Sequence, residues 1–148
     1  MIKLMVNSVK SKTDNIIEFY RTFERYDHLS YEELYQDISP CVRQGQYKIF
    51  EKNKKIWGFT NWAFVNQQIL DRYLETGSMQ TLDWKSGLEM CWIEVVAKGD
   101  MSQMMSWMKD FSVRLLGEDV NLYWIRSNTD KIRARMKIAT KRNWKWEK

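Results

Sequence analysis

The sharpest chemical anomaly in this 148-residue chain is Glu94. It interrupts the run Met90-Cys91-Trp92-Ile93-Glu94-Val95-Val96-Ala97, whose β-branched and aromatic character predicts a strand buried on both faces. An ionised carboxylate in such a strand costs several kcal/mol unless it is paired or protonated, so Glu94 needs a partner or a task. One reading pairs it with an arginine such as Arg43 or Arg126. The other pairs it with the single histidine, His28, as a base whose ring a carboxylate orients. A lone loop histidine is more often an ordinary surface residue, and both readings stay open at this level.

A second unit of interest follows the strand. Lys98-Gly99-Asp100 leads into the segment Met101 to Leu116, which reads as a glycine loop opening a helix. The first turn of a helix offers unpaired N–H groups and partial positive charge, and a glycine lets an anion approach closely. Val96, Lys98, Gly99, Met101 and Ser102 are therefore the candidates for holding a phosphate-bearing ligand. Asp100 works against an anion there, and a tight structural turn explains Gly99 equally well. Met101, Met104, Met105, Met108, Phe111 and Leu115 recur at helical spacing as a core face, and so flexible a face can also line an apolar ligand.

The elements that must position these residues are legible as an alternating series. Ile2 to Val6 read as a short strand, followed by a helix capped at Thr13 or Asp14 and carrying Ile16, Phe19, Tyr20 and Phe23. Ser30-Tyr31-Glu32-Glu33 has the form of a capping box and predicts a short helix ending before Pro40, which leaves His28 in a loop between helices. Residues 46–52 and 55–64 read as a hairpin about Asn53-Lys54, with Gly58 marking a bulge. Asn66 caps a helix that Gly77 stops. Beyond Gly117, a strand from Val120 to Ile125, a basic helix capped by Asn128 or Thr129, and a short strand Asn143 to Trp146 complete the series. The expected fold is α+β, one domain over residues 1–148 with a mixed central sheet flanked by helices.

Composition excludes several classes. The chain has 44% hydrophobic residues, enough for a core and against disorder. No apolar run reaches the roughly 18 residues of a membrane span and the N-terminus lacks an apolar signal region, so a cytoplasmic location is expected. Cys41 and Cys91 lack metal-ligand spacing and read as buried thiols, and one histidine argues against a zinc centre. There is no nucleophile elbow, phosphate-binding loop or dinucleotide fingerprint. The net charge of +5 is concentrated in the last eighteen residues, Lys131 to Lys148, where it could meet an acidic protein, nucleic acid or a phosphorylated cofactor.

Four stretches together resemble a known family. They are Pro40-Cys41-Val42-Arg43-Gln44-Gly45-Gln46-Tyr47, Gly58-Phe59-Thr60-Asn61-Trp62-Ala63, Leu82-Asp83-Trp84-Lys85-Ser86-Gly87, and Trp92-Ile93-Glu94-Val95-Val96-Ala97-Lys98-Gly99-Asp100. In order and spacing they are similar to the acyltransferases that activate RTX (hemolysin-type) protoxins by acylating internal lysines. The resemblance implies a GNAT-like fold, acyl-acyl carrier protein as donor, no tightly bound cofactor, and a catalytic pair of a His near the N-terminus with an Asp before the glycine loop. His28 stands at the first position and Glu94 at the second, one methylene longer than the family's Asp. The usual Trp- and Pro-rich N-terminus is missing.

The expected function is therefore acyl transfer from a phosphopantetheine thioester, on acyl carrier protein or coenzyme A, to a protein lysine. His28 would be base or transient acyl acceptor and Glu94 its support. Lys131, Arg133 and Arg135 would dock the acidic carrier, and a second copy of the chain is a further candidate partner. The alternatives are an acetyl-CoA-dependent N-acetyltransferase, although the Gln/Arg-x-x-Gly-x-Gly/Ala loop is lacking, and a non-enzymatic nucleic-acid or protein-binding module using the basic C-terminal helix and Trp144-Lys145-Trp146.

Overall fold

The fold was obtained as a computed structural model, which describes residues 2–117, 121–125, 133–140 and 143–147. The chain begins with α1 (Ile2–Tyr20), a 3-10 turn η1 (Glu24–Tyr26) and α2 (Tyr31–Gln44). A hairpin of β1 (Tyr47–Lys52) and β2 (Lys55–Val65) leads into α3 (Gln67–Thr76) and a 3-10 turn η2 (Thr81–Asp83). Then come β3 (Glu89–Ala97), α4 (Met101–Leu116), β4 (Asn121–Ile125), β5 (Arg133–Thr140) and β6 (Asn143–Glu147). The strands form one sheet in sequential order, β1 to β6. Among the described strands the β3–β4 pair alone is parallel, joined by the crossover helix α4, and its register sets Cys91 opposite Tyr123. This mixed sheet with flanking helices is the expected α+β architecture.

Local chemistry explains most boundaries. Ser30 and Glu33 form a reciprocal capping box at the start of α2, and Asn66 accepts from the Ile69 N–H at the start of α3. Gly45 and Gly77 end those two helices at left-handed φ of 68° and 72°, where a side chain would be strained. Asn53 and Lys54 both take positive φ, the geometry of a two-residue hairpin turn matched to strand twist.

Three expectations are corrected. Residues 2–6 continue α1 rather than forming a strand, so the proposed cap at Thr13 lies inside the helix, where its hydroxyl donates to the Val9 carbonyl. An intrahelical bond of this kind satisfies a buried Thr without ending the helix. α2 runs through Pro40 to Gln44 instead of stopping before it. The buried face formed by Leu34, Ile38, Cys41 and Val42 outweighs the single bond that proline removes. Residues 133–140 form β5, not a basic helix; sheet pairing with β4 and β6 overrides helical propensity there. The caps proposed at Asn128 and Thr129 lie outside the described residues. The bulge expected near Gly58 is present, since Phe50 pairs with Gly58 and Glu51 with Ile56.

The sheet separates two cores. On one face, α1, α2 and α3 bury Ile16, Ile17, Leu34, Ile38, Leu70 and Tyr73 against Phe59, Ala63, Cys91 and Val96. On the other, α4 buries Met104 and Met108 against Trp62, Met90, Trp92 and Leu122.

Candidate active site

Strand β3 alternates between these cores until Ile93. Met90 and Trp92 face α4, Cys91 faces the α1–α2 layer, and a register break follows, with Asn61 opposite Glu94 but Trp62 opposite Trp92. Ile93 is thus the extra residue of a β-bulge. The bulge restarts the alternation, so that Ile93 and Glu94 both face the helices and line the same cavity. Without it, Glu94 would point among the tryptophans.

Side chains of β2 take over the ladder at this point. The Thr60 hydroxyl donates to the Glu94 carbonyl at 2.8 Å, and the Glu94 N–H donates to Asn61 Oδ1 at 2.8 Å. Asn61 Nδ2 donates in turn to Cys41 Sγ on α2 at 3.4 Å. Both Thr60 and Asn61 are buried. The Thr60-Asn61 dipeptide, visible in the sequence only as part of a motif, is therefore the clamp that presents Glu94.

The Glu94 carboxylate accepts a hydrogen bond from the Tyr26 hydroxyl at 3.2 Å. Burial pushes its pKa up to about 7, and nearby Asp37 adds to the rise, while the Tyr26 bond and the Arg25 charge act in the opposite sense. Glu94 thus exchanges a proton near neutral pH, a property the sequence predicted only as a need for a partner. Tyr26 was not singled out in the sequence. Its signal was the aromatic pattern of the turn that also carries His28.

His28 is exposed. Its neighbours Tyr26 and Leu29 line the Glu94 cavity, and the Glu94 side chain bonds to Tyr26. The structure thus brings the turn bearing His28 to Glu94 through Tyr26. Arg25 lies over the Tyr26 ring at 4.8 Å, and Lys98 Nζ lies over the Phe23 ring at 5.0 Å, so cations border the same turn.

The remaining candidates distribute as follows. Val96 is fully buried in the core beneath α1 and α2. Lys98, Gly99 and Met101 are exposed. A Cβ on Gly99 would stand 2.9 Å from the Trp57 ring, so glycine allows this loop to close on Trp57. Asp100 caps α4 by accepting from the N–H groups of Ser102 and Gln103, and the bond from the Ser102 hydroxyl, with these two, lowers its carboxyl pKa. Two of the N–H groups at the start of α4 are thereby already engaged. The methionine face of α4 lies across the sheet from Glu94, with Met104 and Met108 buried beside Trp62 and Trp92.

The Leu82 to Gly87 motif also acquires a structural account. Arg72 pairs with the buried Asp83, whose carboxylate also accepts from the Gln80 N–H. Ser86 and Gly87 donate to the Phe64 carbonyl. A Cβ on Gly87 would meet the Val65 and Asn66 backbone at 2.4–2.5 Å, so this close approach requires glycine. The result is a fixed Trp84, whose carbonyl accepts from Gln46 Nε2 and whose ring helps enclose the Glu94 cavity.

The structure thus joins an α+β fold with a parallel pair across α4 to a perturbed carboxylate at a bulged strand. The chain matches the RTX toxin acyltransferase family over residues 13–138, and it belongs to that family. It is accordingly an acyltransferase of the toxin-activating type, acting on a protein substrate. No curated protein matches the chain significantly. Among the described residues no helix is long and apolar enough to cross a membrane.

Proposed function

We propose that this enzyme moves an acyl group from a phosphopantetheine thioester, carried by acyl carrier protein, to a lysine amine of its protein substrate. The observation that carries the reading is Glu94, held by the Thr60-Asn61 clamp at the family's acidic position and titrating near neutrality. The lysine nitrogen attacks the thioester carbonyl carbon, the C–S bond breaks, and the products are an amide and the carrier's free thiol. A thioester needs little activation, whereas the lysine must lose its proton to become a nucleophile.

Glu94 and His28 carry that proton traffic. Glu94 takes the proton of the amine within the cavity. His28, exposed on the turn that contacts Glu94 through Tyr26, is the second proton-transfer group and returns a proton to the leaving thiolate. Basic residues near the C-terminal end, Lys131, Arg133 and Arg135, suit docking of an acidic carrier. In an assay with acyl-loaded carrier protein and the protein substrate, His28→Ala should lower transfer by about tenfold to a hundredfold with an unchanged melting temperature. Full activity in His28→Ala removes His28 from the mechanism. Transfer from acetyl-CoA alone, with none from the carrier, replaces this reading with an acetyltransferase.

A further inference from the structure

We propose that the cavity beneath Tyr26 is the acceptor subsite, taking an unbranched primary alkylammonium group, the lysine side chain, end-on toward Glu94 with the Tyr20 hydroxyl as a second ligand. The proposal rests on the acyl-transfer reading only in naming this amine as the acceptor. The cavity measures about 140 Å³. A cavity of roughly this size holds a benzene-sized molecule, and the five heavy atoms of a lysine side chain beyond Cα are fewer than that.

The lining is graded in a way that suits such a ligand. Exposed Gln36, Asp37 and Gly77 stand at the mouth. Aliphatic Leu29, Leu34, Ile38, Met79 and Ile93 supply walls for four methylenes, as lysine stems prefer. Tyr20, Tyr26, Trp84, Asn61 and Glu94 complete the lining, combining aromatic rings and a carboxylate. No Lys or Arg is among the lining residues, and both lining charges are carboxylates.

One lining group lacks a partner of its own among the described residues. The Tyr20 hydroxyl is buried in this wall, with the residue 2% exposed, and makes no hydrogen bond among the described residues. Such a group costs about 1–3 kcal/mol, a cost that a ligand N–H would remove. An ammonium donates hydrogen bonds, and the Glu94 carboxylate and the Tyr20 hydroxyl oxygen are acceptors of the kind it needs.

The test uses butylammonium as the probe and butan-1-ol as its uncharged match, with calorimetry and ligand-observed NMR on the intact protein. Butylammonium should bind at pH 8 with a Kd in the millimolar range, consistent with five heavy atoms. Glu94→Gln should weaken it at least about tenfold and Tyr20→Phe about threefold to fivefold, and butan-1-ol should bind at least about tenfold more weakly. Binding should also fall as pH drops below about 7, as Glu94 takes up a proton. The groups acting on that titration are Tyr26 and Arg25 from η1 and Asp37 from α2, and the Glu94 charge in turn adds to the rise that burial causes in Tyr20 from α1, Cys41 from α2 and Tyr73 from α3. Equal binding of alcohol and ammonium, or binding indifferent to Tyr20→Phe and to pH, overturns the subsite. Because these measurements need no donor, amine binding without acyl transfer would leave the subsite standing and remove the carrier-dependent reaction. Acyl transfer to lysine without amine binding would do the reverse.

Discussion

The two faces of the sheet are made from alternate residues of the same strands, yet they behave as different materials. Among the described residues the α4 face is packed with rings: Trp62 stands against Trp92, Trp107 and Phe111 at ring distances of 5.3, 6.0 and 4.6 Å, and Met104 and Met108 are fully buried. The α1–α2 face leaves a cavity with a carboxylate at its wall. Each face holds a buried polar atom without a partner among the described residues, Trp92 Nε1 on one and the Tyr20 hydroxyl on the other. On the filled face that atom is a tolerated cost of packing a large ring. On the open face it borders a space a substrate can enter. One extra residue, Ile93, decides which face receives Glu94.

That contrast can be broken most severely on the filled side. Trp62→Ala should cost about 3–5 kcal/mol, and a chain of this size should then melt roughly 10 °C lower by calorimetry. Gly87→Ala comes next, at about 3 kcal/mol, because its Cβ would strike backbone atoms of Val65 and Asn66 that have no room to shift. A melting temperature within 2 °C of wild type, an order-of-magnitude threshold, would show that this loop is not the rigid support of Trp84 described above.

The open side responds in activity instead. Glu94→Gln should lower acyl transfer by about tenfold to a hundredfold, equivalent to about 1.4–2.7 kcal/mol of barrier, and should abolish a rate-controlling ionisation near pH 7. Its effect on stability has the opposite sign. The folded-state pKa of Glu94 is raised to about 7, so the folded state holds the proton more tightly than the unfolded state. Its destabilising contribution is absent at low pH and grows as pH rises from about 4.5 to 7. Thermal melts at pH 5 and pH 8 should therefore show Glu94→Gln gaining on wild type at the higher pH. The smallest expected effect is Gly58→Ala, about 1 kcal/mol, although its Cβ would lie 2.4 Å from Met104 Cε. The end of a methionine side chain can move where a backbone cannot; a loss as large as that of Gly87→Ala would show the α4 face to be rigid.

Local signals carried much of the fold. The capping box at Ser30, the Asn66 cap, the hairpin turn and the glycine stops depend on neighbours within a few residues, and they stand where the sequence puts them. Pro40 and residues 133–140 were misread because burial and sheet pairing outweighed local preference. In the candidate site, Glu94 was conspicuous because a carboxylate in an apolar strand is costly wherever the strand lies. Tyr20, Tyr26 and the roles of Thr60 and Asn61 were not legible, since each acts across 33 to 74 residues of chain and a bulge sets their meeting.

The sequence by itself determined that the chain forms an α+β domain, that it carries the motifs of its family, and that Glu94 must be compensated. These follow from periodicity, local turn chemistry and the cost of burying charge. Tertiary structure alone decided that Glu94 turns toward α1 and α2, that Tyr26 supplies its hydrogen bond, and that the methionine face of α4 lies on the other side of the sheet. The physical reason is that strand side chains alternate with a period of two, so a single inserted residue reassigns a side chain to the other face, and sequence periodicity does not register which residue is inserted.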